Sequence, residues 1–455
     1  MLNDWVSPNP KPAALAGLAA SVLDSGSAGP ANLASMALLR SDPPTFKSGS
    51  GPVGDLFTDD VDAMTDWVRH LDCSYVAVQG PPGTGKTFRG AHMVHSLISG
   101  GQRVGITAMS HSAIDNLLEE VVKVFREAGD LAMLKAVRRH KEPAGGGLPA
   151  VTYDGTVPQC TKDDVNLVAG TTWLFANEAM KDAPVDVLIV DEAGQLAIAD
   201  ALAASRSARN LVLLGDPLQL PQVAQAAHPG GGGSSVLEHV LRDEVTIPPD
   251  RGVFLAETRR MHPDVCRFIS EQIYQGRLTS HPSCATQSTE FGTGLRWIRA
   301  HHASRSTESM EEAELVAAEI GRMIGAPRVD QEGVEAPLTA ADFMVMAPYN
   351  DQVRLIRDRL EADRRTKGVA VGTVDKFQGR EAAVVFFTMT TSSAEDMPRG
   401  PDFLFSRNRL NVAISRARCL AYLVCTEELL NSRARTVEEM RLISTLCAFV
   451  EYADG

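Results

Sequence analysis

The residues of this chain best suited to chemistry by type and spacing are a lysine and a threonine closing a glycine-rich run, QGPPGTGKT, at 79–87. A short apolar run at 75–78 precedes them, and a segment with helical periodicity at 88–98 follows. Strand, glycine loop, Lys-Thr, helix is an arrangement that cradles phosphate. Gly80, Gly83 and Gly85, with Thr84 among them, let the backbone curl so that successive N–H groups turn inward on phosphate oxygens. The helix N-terminus adds partial positive charge. Lys86 is then placed to reach the β- and γ-phosphates of a nucleotide, and the Thr87 hydroxyl to hold Mg²⁺.

A second chemical cluster follows the apolar run 185–190, which ends in Asp191-Glu192-Ala193-Gly194-Gln195. An acidic pair at the end of a buried strand is what a phosphate loop needs opposite its lysine. Asp191 would hold the Mg²⁺ shell, and Glu192 would orient or deprotonate an attacking water. Another apolar run, 210–214, ends in GDPLQLPQV at 215–223, with polar Asp216 and Gln219 at its C-terminal end, where parallel α/β sheets gather their ligands. Ser110 and His111 fall just before a helical pattern carried by Ile114, Leu117, Leu118, Val121 and Val122. Two readings stand there: contacts to a backbone phosphate, or an ordinary helix cap.

In the second half, three polar clusters sit among core-like runs: ETRRMHP (257–263), TVDKFQGRE (373–381) and NRLNVAISRAR (408–418). Arg260 and Arg416 are the cations that could serve a γ-phosphate; the bland reading is surface salt bridges.

The elements that must position these groups follow an α/β rhythm. Strand signals lie at 103–107, 167–169, 185–190 and 210–214, then at 253–256, 295–298, 343–346, 369–372, 383–389 and 419–425. Helical stretches fall between them, notably 312–324 and 350–362, which argues for two parallel-sheet domains in tandem. The expected division is an N-terminal extension at 1–55, a first domain at 56–245 and a second at 246–455. Residues 126–164 read as a small insertion off the first domain. HPGGGGSS at 228–235 reads as a flexible approach to the boundary.

Composition sets the outer limits. The chain has 455 residues, 44% hydrophobic and 22% charged, enough for two or three domains. Its net charge of −13 argues against holding nucleic acid by bulk charge and leaves room only for a local basic groove. Seven dispersed cysteines without CxxC spacing argue against a zinc or iron–sulfur site and for reduced thiols in a cytoplasmic protein. Residues 13–23 are apolar but too short to span a bilayer, and read as a packed helix.

Taken together, QGPPGTGKT, AMSHSAIDNLL, AGTTWLF, DEAGQ, GDPLQLPQ, RRMHP, APYNDQV, TVDKFQGRE and NVAISRAR occur in the order found in superfamily 1 helicases, and the sequence resembles that family over residues 79–418. The branch is the one that includes the nonsense-mediated-decay helicase and its bacterial relatives, some of which carry a RecB-like nuclease that is not read in this sequence. The resemblance implies two RecA-like domains of the P-loop NTPase class, with ATP and Mg²⁺ between them and single-stranded nucleic acid across the top, DNA ranked ahead of RNA. It makes Gln219 the γ-phosphate sensor and Arg260 and Arg416 arginine fingers. It places Gln195 and Glu381 near the nucleotide, and offers Ser110, His111, Thr171, Thr172, Tyr349 and Thr373 as contacts to the strand. Arg259 stands where the family often has an aromatic residue stacked on adenine. The function implied is an ATP-dependent helicase or translocase, outside any membrane. The alternative is a switch or loading subunit for a nuclease partner.

Overall fold

The computed structural model describes residues 7–25, 33–221, 228 and 231–454. Gln222 and Val223 of the GDPLQLPQV stretch, and Pro229 and Gly230 of the glycine run, lie outside them. The chain divides into two compact units. One comprises Met1–Gly80, Gly85–Pro217 and Pro221–Leu255; the other comprises Pro81–Thr84, Leu218–Leu220 and Ala256–Gly455.

The first unit is built on eight strands: β1 (Tyr75–Gln79), β2 (Val104–Thr107), β3 (Ala136–Arg138), β4 (Val151–Thr152), β5 (Leu167–Ala169), β6 (Val185–Val190), β7 (Ala208–Gly215) and β8 (Gly252–Phe254). They pair in the order β4-β3-β5-β2-β6-β7-β1-β8. Every pairing is parallel. Parallel sheets need both faces covered, so their strands read as unbroken apolar runs rather than alternating ones. Val76, Val78, Val187, Ile189, Val212 and Leu214 are accordingly all fully buried. Helices α1 (Lys86–Ser99) and α2 (His111–Glu127) pack Val94, Leu97, Leu117 and Val121 into the same core. At Gly90 helix α1 comes so close to β7 that an added Cβ would meet Leu214 Cδ1 at 2.7 Å.

The strand order matters for the site. Consecutive neighbours β5, β2, β6, β7 and β1 lead, within one to three residues of their C-terminal ends, to Thr171, Ser110, Asp191, Asp216 and the glycine loop, so five adjacent strand ends deliver five polar motifs to one edge.

Two expectations need correction. Within residues 126–164, read as an insertion off the domain, β3 and β4 extend the main sheet at its far edge. They are three and two residues long, too short to announce themselves beside a charged and turn-rich sequence. Within 228–235, read as flexible, Ser235 is fully buried and caps helix Val236–Leu241 through a capping box with Glu238. The apolar segment at 13–23 is a helix, Lys11–Asp24. It packs through Ala14 against Ala176 and Ala203, with Lys11 paired to Asp200 at 2.8 Å.

The second unit holds a five-stranded sheet: β9 (Gly294–Arg299), β10 (Phe343–Met346), β11 (Ala370–Gly372), β12 (Ala382–Thr388) and β13 (Ala417–Cys425). Their order is β9-β13-β12-β10-β11, again parallel throughout. Helices α3 (Met310–Met323) and α4 (Asn350–Glu361) bury Val316, Ile320, Val353 and Ile356 against Phe343, Val345 and Phe386. This sheet has two chemically distinct edges. Tyr349 and Thr373 follow the C-terminal ends of β10 and β11. Glu381 and Arg416 immediately precede β12 and β13, at the N-terminal edge.

Candidate nucleotide site

The glycine loop folds as its sequence requires. Gly83 and Gly85 both have φ of +76°, a region side-chain-bearing residues avoid, and Gly85 is the N-cap of α1. Lys86 is the first residue of that helix, and its Nζ donates to the Gly80 carbonyl. Thr84 is buried, with its hydroxyl donating to Pro81 O at 2.7 Å. Thr87 follows in the first turn of α1, half-buried.

Asp191 ends β6 almost fully buried, and its Oδ1 accepts from Glu192 N at 2.9 Å. Burial pushes this carboxyl above its ordinary value, against the pull of that N–H and of Lys86. Glu192 sits at φ +53°, an uncommon conformation for a non-glycine residue. Its carboxyl is pushed up to about 7, first by burial and then by Asp191, while Ser110 and Lys86 pull it down. Ser110 Oγ donates to Glu192 Oε2 at 3.2 Å and accepts from Ala113 N at 3.1 Å. Ser110 is thus a helix cap that also holds Glu192.

Two glycines explain how the acidic pair meets the GDP turn. A Cβ on Gly194 would sit 2.4 Å from Asp216 O, and one on Gly215 would sit 2.7 Å from Gly194 N. The two loops therefore touch backbone to backbone, and Ala193 N donates to Leu214 O at 2.8 Å. Gln195 continues this turn, its N–H donating to Glu192 O at 2.8 Å. Asp216 is buried at 4% exposure.

The donor set suits a hard divalent cation. Asp191 supplies a carboxylate whose burial disfavours its charge, and Thr87 a hydroxyl on the helix that starts at the phosphate loop; oxygen donors of this kind hold Mg²⁺ in phosphoryl-transfer sites.

In the second unit, Arg260 Nε donates to Glu381 Oε2 at 2.7 Å and Nη1 to Ser415 O at 3.2 Å. Arg416 is only 2% exposed. Its Nη1 donates to Arg380 O at 3.4 Å, and its Nε and Nη2 have no hydrogen-bond partner among the described residues. Burial first, and Arg260 second, push this guanidinium down to about 9. Surface salt bridging does not describe such a residue. Gln219 lies in the three-residue segment that groups with this unit, and Asn408 and Asn411 donate to the carbonyls of Gln219 and Leu218. Arg259 is exposed and pairs loosely with Glu257 at 3.6 Å.

The residues expected to touch a strand fall in separate places. His111 opens α2 and is exposed. Thr171 is half-buried and Thr172 is 2% exposed, in the first turn of the short helix Thr172–Phe175. Tyr349 and Thr373 line a cavity of about 790 Å³ with Lys376, Arg399, Phe403 and Arg409. There the guanidiniums of Arg399 and Arg409 lie 4.8 and 4.5 Å from the Phe403 ring centre. The sequence reading missed this trio. The interleaving of Arg399, Phe403 and Arg409 was its available signal.

A glycine cradle with Lys-Thr, an acidic pair at the end of β6, two strands away in the same sheet, and parallel sheets define a P-loop NTPase of RecA-like units. Two family models, each described as an AAA domain, match residues 63–231 and 233–428. Across both matches the motif series runs in the order of the superfamily 1 helicases, which the chain resembles. It is 27% identical to DNA-binding protein SMUBP-2 of Rattus norvegicus, over 78% of this chain and 42% of that one. It is 26% identical to the DNA replication ATP-dependent helicase/nuclease JHS1 of Arabidopsis thaliana, over 84% of this chain and 29% of that one. The chain thus spans well under half the length of these curated relatives. Among solved structures, an arterivirus nonstructural protein 10 helicase with DNA aligns at a TM-score of 0.43 and 16% identity, covering 81% of this chain and 63% of that one. Among the described residues, no helix is long and apolar enough to cross a membrane.

Proposed function

We propose that the chain is an ATP-driven helicase or translocase acting on single-stranded nucleic acid in the cytoplasm. The observation that carries the proposal is the set of five adjacent strand ends bringing a phosphate loop, an acidic pair and polar motif residues to one edge. In this reading Gly80, Gly83, Thr84, Gly85 and Lys86 bind the phosphates of ATP, with Lys86 neutralising the β- and γ-oxygens. Thr87 and Asp191 hold Mg²⁺, which supplies charge to the phosphates when bound. Glu192, already raised toward neutrality, takes the proton of the attacking water. Gln219 senses the γ-phosphate, and Asp216 relays its presence. Arg260 and Arg416 supply positive charge to the phosphoryl group in transfer; the unpartnered N–H groups of Arg416 are donors suited to an anion. Gln195 and Glu381 border the nucleotide.

Ser110, Thr171, Tyr349 and Thr373 contact the strand, DNA being favoured by the names of the relatives. The second reading is a switch or loading subunit of a nuclease complex. It draws on the combined helicase/nuclease name of one relative.

The test is the ATP hydrolysis rate with single-stranded DNA, single-stranded RNA and duplex in parallel. Stimulation by a single strand, with displacement in one direction, is expected. ATP hydrolysis that answers only to a nuclease protein and to no strand would replace this reading with the second.

A further inference from the structure

An exposed pair of stacked imidazoles in the first unit takes no part in the hydrolysis above, and the resemblance offers only one of them, His111, as a strand contact. His111, the first residue of α2, and His140, just beyond β3, lie with ring centres 3.8 Å apart and planes 24° from parallel. Both residues are exposed. Two water-exposed rings held face to face add little to a core, so packing does not account for them.

Their support is rigid. Arg138 is fully buried; its Nε donates to Asp115 Oδ1 at 2.6 Å and its Nη2 approaches His111 Nδ1 at 3.1 Å. A guanidinium has only donors, so Nδ1 of His111 is the acceptor and the ring proton of the neutral form sits on Nε2. Burial, then His140 and Arg138, lower the pKa of His111, which keeps the ring neutral near pH 7. The partner ring is fixed through its backbone: Arg139 N donates to Ala169 O at 2.9 Å, and Asp154 N donates to His140 O at 2.9 Å.

The surroundings indicate a ligand. Arg139 and Lys141, both exposed, flank His140 in the run Arg138-Arg139-His140-Lys141, a concentration of cations in a chain of net charge −13. The run follows β3, which pairs with β5, the strand that leads to Thr171; Ser110 is the residue before His111. A flat aromatic face bordered by cations on an otherwise acidic chain matches an unpaired nucleotide: a π-face for the base and positive charge for the phosphates on either side.

We propose that the His111–His140 stack is a platform for one unpaired nucleobase, with Arg139 and Lys141 pairing the flanking phosphates. The proposal rests on the single-strand reading above and names a binding site for it. The base is taken without preference, since every base has a π-face. The platform is one residue from Ser110, which holds Glu192, so it ties a bound strand closely to the residues of hydrolysis.

The experiment is a fluorescence titration of the full chain with a labelled oligothymidine and with an abasic oligonucleotide of equal length and charge. The wild-type protein should bind the oligothymidine more tightly than the abasic strand. His140→Ala should weaken oligothymidine binding about tenfold and shrink its advantage over the abasic strand. His140→Tyr, which restores a ring, should recover affinity to within about threefold. Lys141→Ala should lower the log–log salt slope by about 0.7 and leave the advantage of the bases intact. Unchanged affinity in His140→Ala, or a Tyr variant no better than Ala, overturns the platform alone. A wild-type chain that binds neither strand at low salt overturns the single-strand reading and the platform with it.

Discussion

The two units share an architecture and invert its electrostatics. In the first, the C-terminal edge of a parallel sheet holds two acids, a buried Asp191 and a half-buried Glu192, whose pKa values are driven up. In the second, the N-terminal edge buries a cation, Arg416, whose pKa is driven down to about 9. Each is a charge in an environment that disfavours it. A cation would settle the first site, and an anion the second. The same α/β scaffold thus sets opposite charges at its two sheet edges, which under the proposed function would serve opposite needs of phosphoryl transfer. Glycine spacing marks the acidic half in sequence; the basic half has no comparable loop.

The comparison breaks most sharply at Glu192. Glu192→Gln should lower saturated ATP turnover by about 10²–10⁴ while nucleotide binding is retained, because Asp191 and Lys86 remain. Near-normal turnover with intact binding would remove Glu192 from the role of base. Lys86→Ala should abolish turnover together with tight nucleotide binding, since the charge on the β- and γ-oxygens is lost.

A second, smaller effect sharpens the acidic half. Ser110 caps α2 and also donates to Glu192. Ser110→Ala should cost about 1 kcal/mol of stability, read as a melting temperature lower by roughly 2–4 °C. It should also shift the acid limb of the turnover profile upward, because a hydrogen bond that lowers the Glu192 pKa is gone. A lower melting temperature with an unmoved pH profile would leave Ser110 as a cap alone.

Base choice tests the periphery of the site. Arg259 is exposed where an adenine stacker is often found. GTP and CTP should therefore be used within about tenfold of ATP in kcat/KM, a difference of about 1.4 kcal/mol. Strict ATP preference would mean that another contact reads adenine.

The smallest expected effect is on the pH dependence of stability. His111 is faced by His140, Arg138 and Asp115, and its folded-state pKa is lowered. The unfolded chain therefore takes up that proton first. Stability from this group is full above about pH 6.5 and falls as the pH drops toward the lower folded value. In His111→Gln, the decline in melting temperature between neutral and mildly acidic pH should be shallower than in wild type. An equal decline would assign it to other groups.

Much of this was readable before any coordinates. The run Val187–Val190, behind Val185 and a half-buried Asp186, announces a strand buried on both faces because four consecutive apolar residues leave no polar side to expose. The glycines of the phosphate loop are legible because positive φ demands them. What escaped is what depends on neighbours distant in sequence. β3 and β4 are recruited by the edge of an existing sheet, not by their own pattern. Arginine is usually exposed, so nothing local says that Arg416 is buried or that two of its N–H groups lack partners. The His111–His140 stack depends on β3 and α2 meeting, and the cavity around Phe403 on loops after different strands.

The proposed role of Arg416 is to supply charge to the phosphoryl group during ATP hydrolysis. Its most direct test is Arg416→Ala. Two quantities are needed: strand-saturated kcat for ATP and the Kd of a non-hydrolysable ATP analogue. A charge that acts on the phosphoryl group in transfer predicts a fall in kcat of about 10³ or more, with the Kd changed by less than about tenfold. A loss in kcat under about tenfold, in a protein that still melts near the wild-type temperature, would contradict the claim.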